Sequence, residues 1–118
     1  MALWLYAGQS ERLTASAQGL IEEGNLRVSP MTALELGYLH EVRRARDPVA
    51  QMLSALRRDI GLEVADAELM EVVQAAIDLT WTRNPFDRMI SAHAIVAGAP
   101  LVTADRTIRD NLSLAVWD

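Results

Sequence analysis

Three short apolar runs, Leu26–Val28, Ile60–Val64 and Leu101–Thr103, are each reached through a helix-length amphipathic segment, and a fourth, Leu112–Trp117, closes the chain. That alternation restricts the fold more than any other feature. A strand that crosses back over a sheet through a helix pairs in parallel with the one it left. The predicted order is helix, strand, two helices, strand, two helices, strand, strand. It implies an α/β fold of three layers, α/β/α, with a mainly parallel sheet covered on both faces. Met1–Ala7 reads equally as a strand or as the first turn of a helix.

The helices carry local start and stop signals. The first, about Ser10–Glu23, gathers Leu13, Ala17, Leu20 and Ile21 on one face and stops at Gly24-Asn25. Ser29-Pro30 opens the second, whose expected inward stripe is Met31, Leu34, Tyr38, Leu39 and Val42, and whose last turn is basic through Arg43, Arg44 and Arg46. Asp47-Pro48 starts a third with Val49, Met52, Leu53 and Leu56 inward. Asp66 starts a fourth with Leu69, Val72, Val73, Ala76 and Ile77 inward.

A chain of 118 residues makes one domain, 1–118, with half its residues hydrophobic, too apolar for a disordered chain. No apolar run has the length of a membrane span, and MALWLYAG lacks the basic flank of a signal peptide. Cysteine is absent, which excludes disulfides and thiolate metal sites and suits a reducing, cytoplasmic setting. The net charge of −5 argues against broad electrostatic binding to nucleic acid. All 11 basic residues are arginine, so local phosphate or carboxylate contacts remain open. The isolated glycines form neither a dinucleotide fingerprint nor a phosphate loop. His40 and His93 have no ligand spacing and are read as surface or core-edge residues.

The candidate chemistry lies in Asn84–Ile108, NPFDRMISAHAIVAGAPLVTADRTI. Asn84 is a good N-cap, Pro85 suits the first helical position, and Gly98 supplies the stop. Pro100 then opens the strand, which ends at Ala104-Asp105. Ligands bind beyond the carboxyl ends of parallel strands, where Asp105 stands and where Asp87, in the first turn of the preceding helix, can join it. Two carboxylates placed together repel unless a cation neutralises them, and an oxygen-only ligand set favours Mg²⁺ or Mn²⁺ over zinc. Against this, Asp87 at N3 could close a capping box, and Asp105 could cap a short turn over Arg106–Asp110. On these two residues alone the readings stand level. Glu35 lies on the predicted inward stripe, an unusual place for a carboxylate, although reaching to solvent or to an arginine would also explain it.

NPFDRM with an alanine-rich helix and then LVTADRTI resembles the second half of a PIN domain, and within that family the VapC-type toxins. The resemblance places family acidic positions at Asp87 and Asp105, matches Thr103, and assigns a third acidic position to Glu35 in SPMTALELGYL. It implies a Mg²⁺- or Mn²⁺-dependent ribonuclease with Glu35, Asp87 and Asp105 as metal ligands and catalytic residues. It also implies an RNA substrate, a cognate antitoxin that presents an arginine to the acidic pocket, and a homodimer. The family's remaining aspartate ends the first, central strand. Aligning Ala2–Leu5 with the LLWL-like residues that follow that strand in the family puts this aspartate a few residues upstream of Met1, so most or all of the central strand is expected to be missing, through a late-placed start or a truncation. The alternative is a non-catalytic PIN-like remnant that binds a partner or dimerises.

Overall fold

The computed structural model describes residues 26–44, 46–103 and 105–116. The expectations for Met1–Ala7 and for the helix over Ser10–Glu23 fall outside them. The described elements run β1 (Arg27–Val28), α1 (Pro30–Glu41), α2 (Val49–Ile60), β2 (Glu63–Val64), α3 (Leu69–Ile77), α4 (Pro85–Ala97), β3 (Leu101–Val102), α5 (Arg106–Asn111) and β4 (Ala115–Val116). The predicted alternation is therefore present, with one addition. The turn expected after Asp105 is a short helix, and it separates the last two strands.

Both strand pairings are parallel, as predicted. Arg27 lies opposite Glu63 and Val28 opposite Val64, while Leu101 faces Ala115 and Val102 faces Val116. Among the described residues these are two separate two-stranded sheets rather than one. Glu63 N–H donates to Leu26 O and Ala65 N–H to Val28 O, while Leu101 and Thr103 donate to Leu114 O and Val116 O. Alternate residues of a strand turn their backbone groups to opposite edges. Arg27 and Val102 therefore turn theirs away from β2 and β4.

Helix α4 carries the core. Ile90, Ser91, Ala92, His93 and Ala94 are consecutive and all buried, which is more than one full turn and so means that α4 is enclosed on every side. One face, Ile90 and Ala94, packs with Leu101, Ile108 and Leu112 beneath Met31, Trp81 and Phe86. The face bearing Ala92 packs with Val72 and Ala76 of α3, flanked by Met89 and Val96. The small residues let neighbouring backbone come close, and His93 belongs to the core rather than to its edge or to the surface. Burial pushes its imidazole below the ordinary pKa, against an opposite pull from Asp66.

The predicted inward faces are corrected in two helices. On α1, Thr32 and Leu36 are buried, whereas Leu34, Tyr38 and Val42 are 58%, 51% and 44% exposed. Apolar residues surround much of this helix, so periodicity alone does not select the face that packs. On α3, Val72 and Ala76 point inward as expected, but Leu69 and Ile77 are exposed. Three boundaries also move, the first being that of α3, which starts at Leu69 behind an N-cap at Glu68 rather than at Asp66. The second predicted helix ends at Glu41, with Arg43 left-handed at φ 61°, and does not reach Arg46. Ile60, expected in a strand, ends α2, and Gly61 reverses the chain at φ 70°.

The start of α4 forms as its sequence predicts. Asn84 Oδ1 accepts from the N–H groups of Phe86 at 2.9 Å and Asp87 at 3.2 Å, and Pro85 takes the first turn. Replacing Asn84 by alanine strands both donors and is expected to cost ~1 kcal/mol. Thermal unfolding checks this, and an unchanged melting temperature would mean that solvent satisfies the two amides equally well.

Candidate metal and catalytic site

The three predicted carboxylates come from the middle of α1, the start of α4 and the segment just beyond β3. Glu35 lies on α1, Asp87 in the first turn of α4, and Asp105 at the N-cap of α5. All three are partly buried.

Asp87 bears most directly on the choice between capping and chemistry. A capping box would direct its carboxylate back to the Asn84 N–H. That N–H instead donates to Thr82 Oγ1 at 3.2 Å. The Asp87 carboxyl is held up at about 6, chiefly by burial and then by the charge of Asp105. A carboxylate whose main partner is a helix N-terminus would be drawn the other way. The capping box expected as the alternative for Asp87 therefore lacks its reciprocal hydrogen bond, although Asp87 keeps its place in the first turn.

Asp105 does cap. Its Oδ1 accepts from Ile108 N–H at 2.9 Å, and its own N–H donates to Thr103 Oγ1 at 3.1 Å. Thr103, which is 2% exposed, thus orients the aspartate that follows the strand. A cap of this kind uses one carboxylate oxygen, and an ionised carboxylate has two.

Glu35 is the most strained member electrostatically. Its carboxyl is pushed up to about 7, first by burial and then by repulsion from Asp87 and Asp105. Repulsion among the three was expected from the sequence; burial outweighs it. Glu35 Oε1 is buried with no hydrogen-bond partner among the described residues, and so is Thr32 Oγ1 one turn earlier on α1. An orphaned buried acceptor costs ~1–3 kcal/mol. A proton or a cation on Glu35 would remove that cost, so the donor chemistry fits a hard divalent ion. The geometry is open, however. Among the described residues no three side chains of the acidic, histidine or cysteine types stand close enough to form one ligand shell. The three carboxylates predicted as ligands are thus neighbours in electrostatic reach but do not form a preassembled shell.

A pH test follows from Glu35. Its folded pKa of about 7 lies above the ordinary 4.5, so the native state holds this proton more tightly than the unfolded chain. The associated stability is fully present below pH 4.5 and is lost as pH rises through 7. In metal-free buffer Glu35→Gln is expected to change stability little near pH 5 and to raise it by roughly 1–2 kcal/mol at pH 8, allowing for solvent screening. Equal effects at both pH values in thermal melts would show that Glu35 does not titrate in this window.

The sequence reading missed how the two aspartates are placed. Thr82-Arg83-Asn84 and Thr103-Ala104-Asp105 share one pattern, a threonine whose hydroxyl accepts the N–H of the capping residue two positions on. Thr82 also accepts Arg88 Nε at its carbonyl, 2.7 Å away, which ties the first turn of α4 to the segment before it. The repeated Thr-x-Asn/Asp spacing was the available signal. The basic groups at Arg43, Arg44, Arg46, Arg57 and Arg58 are exposed, and Arg58 pairs with Asp59 at 3.3 Å, as a solvated face would.

Among protein-family models, one described as PIN domain matches residues 2–111. No curated protein and no solved structure gives a significant match.

Proposed function

Since the chain belongs to the PIN-domain family, whose members are commonly metal-dependent nucleases, we propose that it is a metal-dependent endoribonuclease of the VapC toxin type, with Glu35, Asp87 and Asp105 at its centre. The observation that carries this reading is the electrostatic coupling of the three carboxylates around an orphaned oxygen of Glu35, with no capping box closed by Asp87. Bound there, Mg²⁺ or Mn²⁺ would supply an activated water and neutralise charge on the phosphate. The chain's own part is to hold the acceptors in place. Thr103 and the Ile108 amide orient Asp105, Asn84 fixes the turn that carries Asp87, and α1 keeps Glu35 out of bulk water. Arg83, beside the Asn84 cap, and Arg106, beside Asp105, are exposed and available for phosphate contacts despite the net negative charge.

The direct test is cleavage of single-stranded RNA by the purified chain with Mg²⁺, with Mn²⁺ and with EDTA. Cleavage that persists in EDTA, or none with either metal, counts against the reading. A cognate antitoxin that inserts an arginine between the carboxylates, and pairing with a second copy, belong to the same proposal.

A non-catalytic module that binds a partner is the second reading. The exposed apolar residues on α1 and α3 favour it, because a monomer gains nothing by leaving Leu34, Leu69 and Ile77 in water. A chain that forms stable complexes but cleaves no RNA with either metal would select it.

The finer fold proposal is a strand seated between β1 and β3 that joins the two parallel pairs into one sheet. Support comes from Val102, 1% exposed, whose backbone groups face away from β4. A buried amide needs an acceptor. Hydrogen exchange at the Val102 amide reads this directly, and exchange as fast as that of a surface loop would leave no room for such a strand.

A further inference from the structure

One aromatic pair lies beside the carboxylates and has no part in the chemistry just described. Tyr38 of α1 and Phe86 of α4 have ring centroids 6.4 Å apart with planes inclined by 31°. Phe86 is anchored against the core of Ile90, Leu101 and Ile108. Tyr38 leans on it and remains 51% exposed. Tyr38 shares a helix face with one proposed ligand, and Phe86 adjoins another in the chain without sharing its face. Tyr38 follows Glu35 by three residues, which puts the two on neighbouring positions of one helix face, and Phe86 immediately precedes Asp87.

We infer that Tyr38, backed by Phe86, is a stacking platform for a nucleobase of single-stranded RNA whose backbone passes over the carboxylate site. The inference rests on the ribonuclease reading and adds to it how the substrate is held. An exposed ring on a rigid support gives a base an apolar face without prior ordering, and stacking tolerates any base because every base has a π-face. Such a contact suits a protein that has no broad positive surface. With a net charge of −5, affinity cannot come mainly from phosphates, so base contacts must contribute a larger share. The arginines at 83 and 106 are exposed next to Asn84 and Asp105, where they can hold backbone on either side of the site.

The same face carries a competing occupant. Leu34 and Val42 are exposed one turn to either side of Tyr38, and a protein helix would use all three residues. A base would use the ring alone, so substitution separates the two.

The experiment measures binding of a short single-stranded RNA containing 2-aminopurine, in EDTA at low salt, where no turnover occurs. Tyr38→Leu is expected to weaken binding at least five-fold, the low end of about 1 kcal/mol for base–aromatic stacking, and to abolish quenching of the probe. Tyr38→Trp retains both, and Leu34→Ala and Val42→Ala leave both unchanged. The inference is overturned if the unaltered chain binds no RNA, if Tyr38→Leu binds as well as the unaltered chain, or if Leu34→Ala and Val42→Ala weaken binding as much. That last result assigns the face to a protein partner. Tyr38-dependent binding without cleavage in Mg²⁺ supports the platform and sinks the nuclease. Cleavage indifferent to Tyr38→Leu sinks the platform alone.

Discussion

Asp87→Asn and Asp105→Asn are each expected to lower Mg²⁺-dependent RNA cleavage by ~10²-fold or more, while the fold survives. The two substitutions remove a charge and keep the shape, and the structure explains why each is tolerated. At position 105 asparagine still offers a side-chain oxygen to the Ile108 amide, and it is as good an N-cap as aspartate. At position 87 the carboxylate closes no capping box, and it is half-buried and repelled by Asp105, so its removal relieves a cost rather than breaking a bond. In metal-free buffer at pH 8 the melting temperature of Asp87→Asn is therefore expected to equal or exceed that of the unaltered chain. Asp105→Ala differs, because it also loses the cap and should cost ~1 kcal/mol. Measuring cleavage and melting side by side separates ligand from scaffold. Full activity in Asp105→Asn would remove that residue from the site, and a steep loss of stability in Asp87→Asn would mean that its carboxylate has a structural partner.

Ile90→Ala is expected to be the most damaging single truncation in the described core. Ile90 is 1% exposed and sits where α4, β3 and α5 meet, against Leu101, Ile108 and Leu112. Emptying such a site costs ~2–5 kcal/mol through lost burial and the cavity left behind. A domain of this size has only about 5–15 kcal/mol in all, so the melting temperature should fall by roughly 10–20 °C. Ile90→Val keeps most of the volume and should cost about 0.5–1.5 kcal/mol. Cleavage should suffer with Ile90→Ala even at temperatures where the chain remains folded, because Asp87 lies one turn earlier on the same helix. A loss below 1 kcal/mol would mean that the surrounding side chains collapse into the gap and that α4 is held elsewhere.

The local elements needed no tertiary information. Asn84-Pro85 and Ser29-Pro30 place a side-chain oxygen ahead of amides that have no partner in their own helix, and Gly98 tolerates the left-handed turn that ends α4. These are interactions among neighbours, so sequence and structure agree on them. Parallel pairing of β1 with β2 was also readable, since helices between two strands leave few other connections, whereas that of β3 with β4 depends on a helix that the sequence reading took for a turn. Which side of a helix faces inward was not readable wherever apolar residues surround it. Leu34, Tyr38 and Val42 fit a helical stripe as well as Leu36 does, and the tertiary packing buried the side bearing Thr32 and Leu36. Sequence placed Asp87 and Asp105 at plausible ends of elements and Glu35 on a helix stripe but could not weigh capping against chemistry at Asp87. That balance depends on where a single amide proton goes. Thr82 takes the Asn84 N–H, and burial against distant parts of the chain raises the carboxyls of Glu35 and Asp87. Burial and through-space repulsion arise only when segments far apart in sequence are brought together.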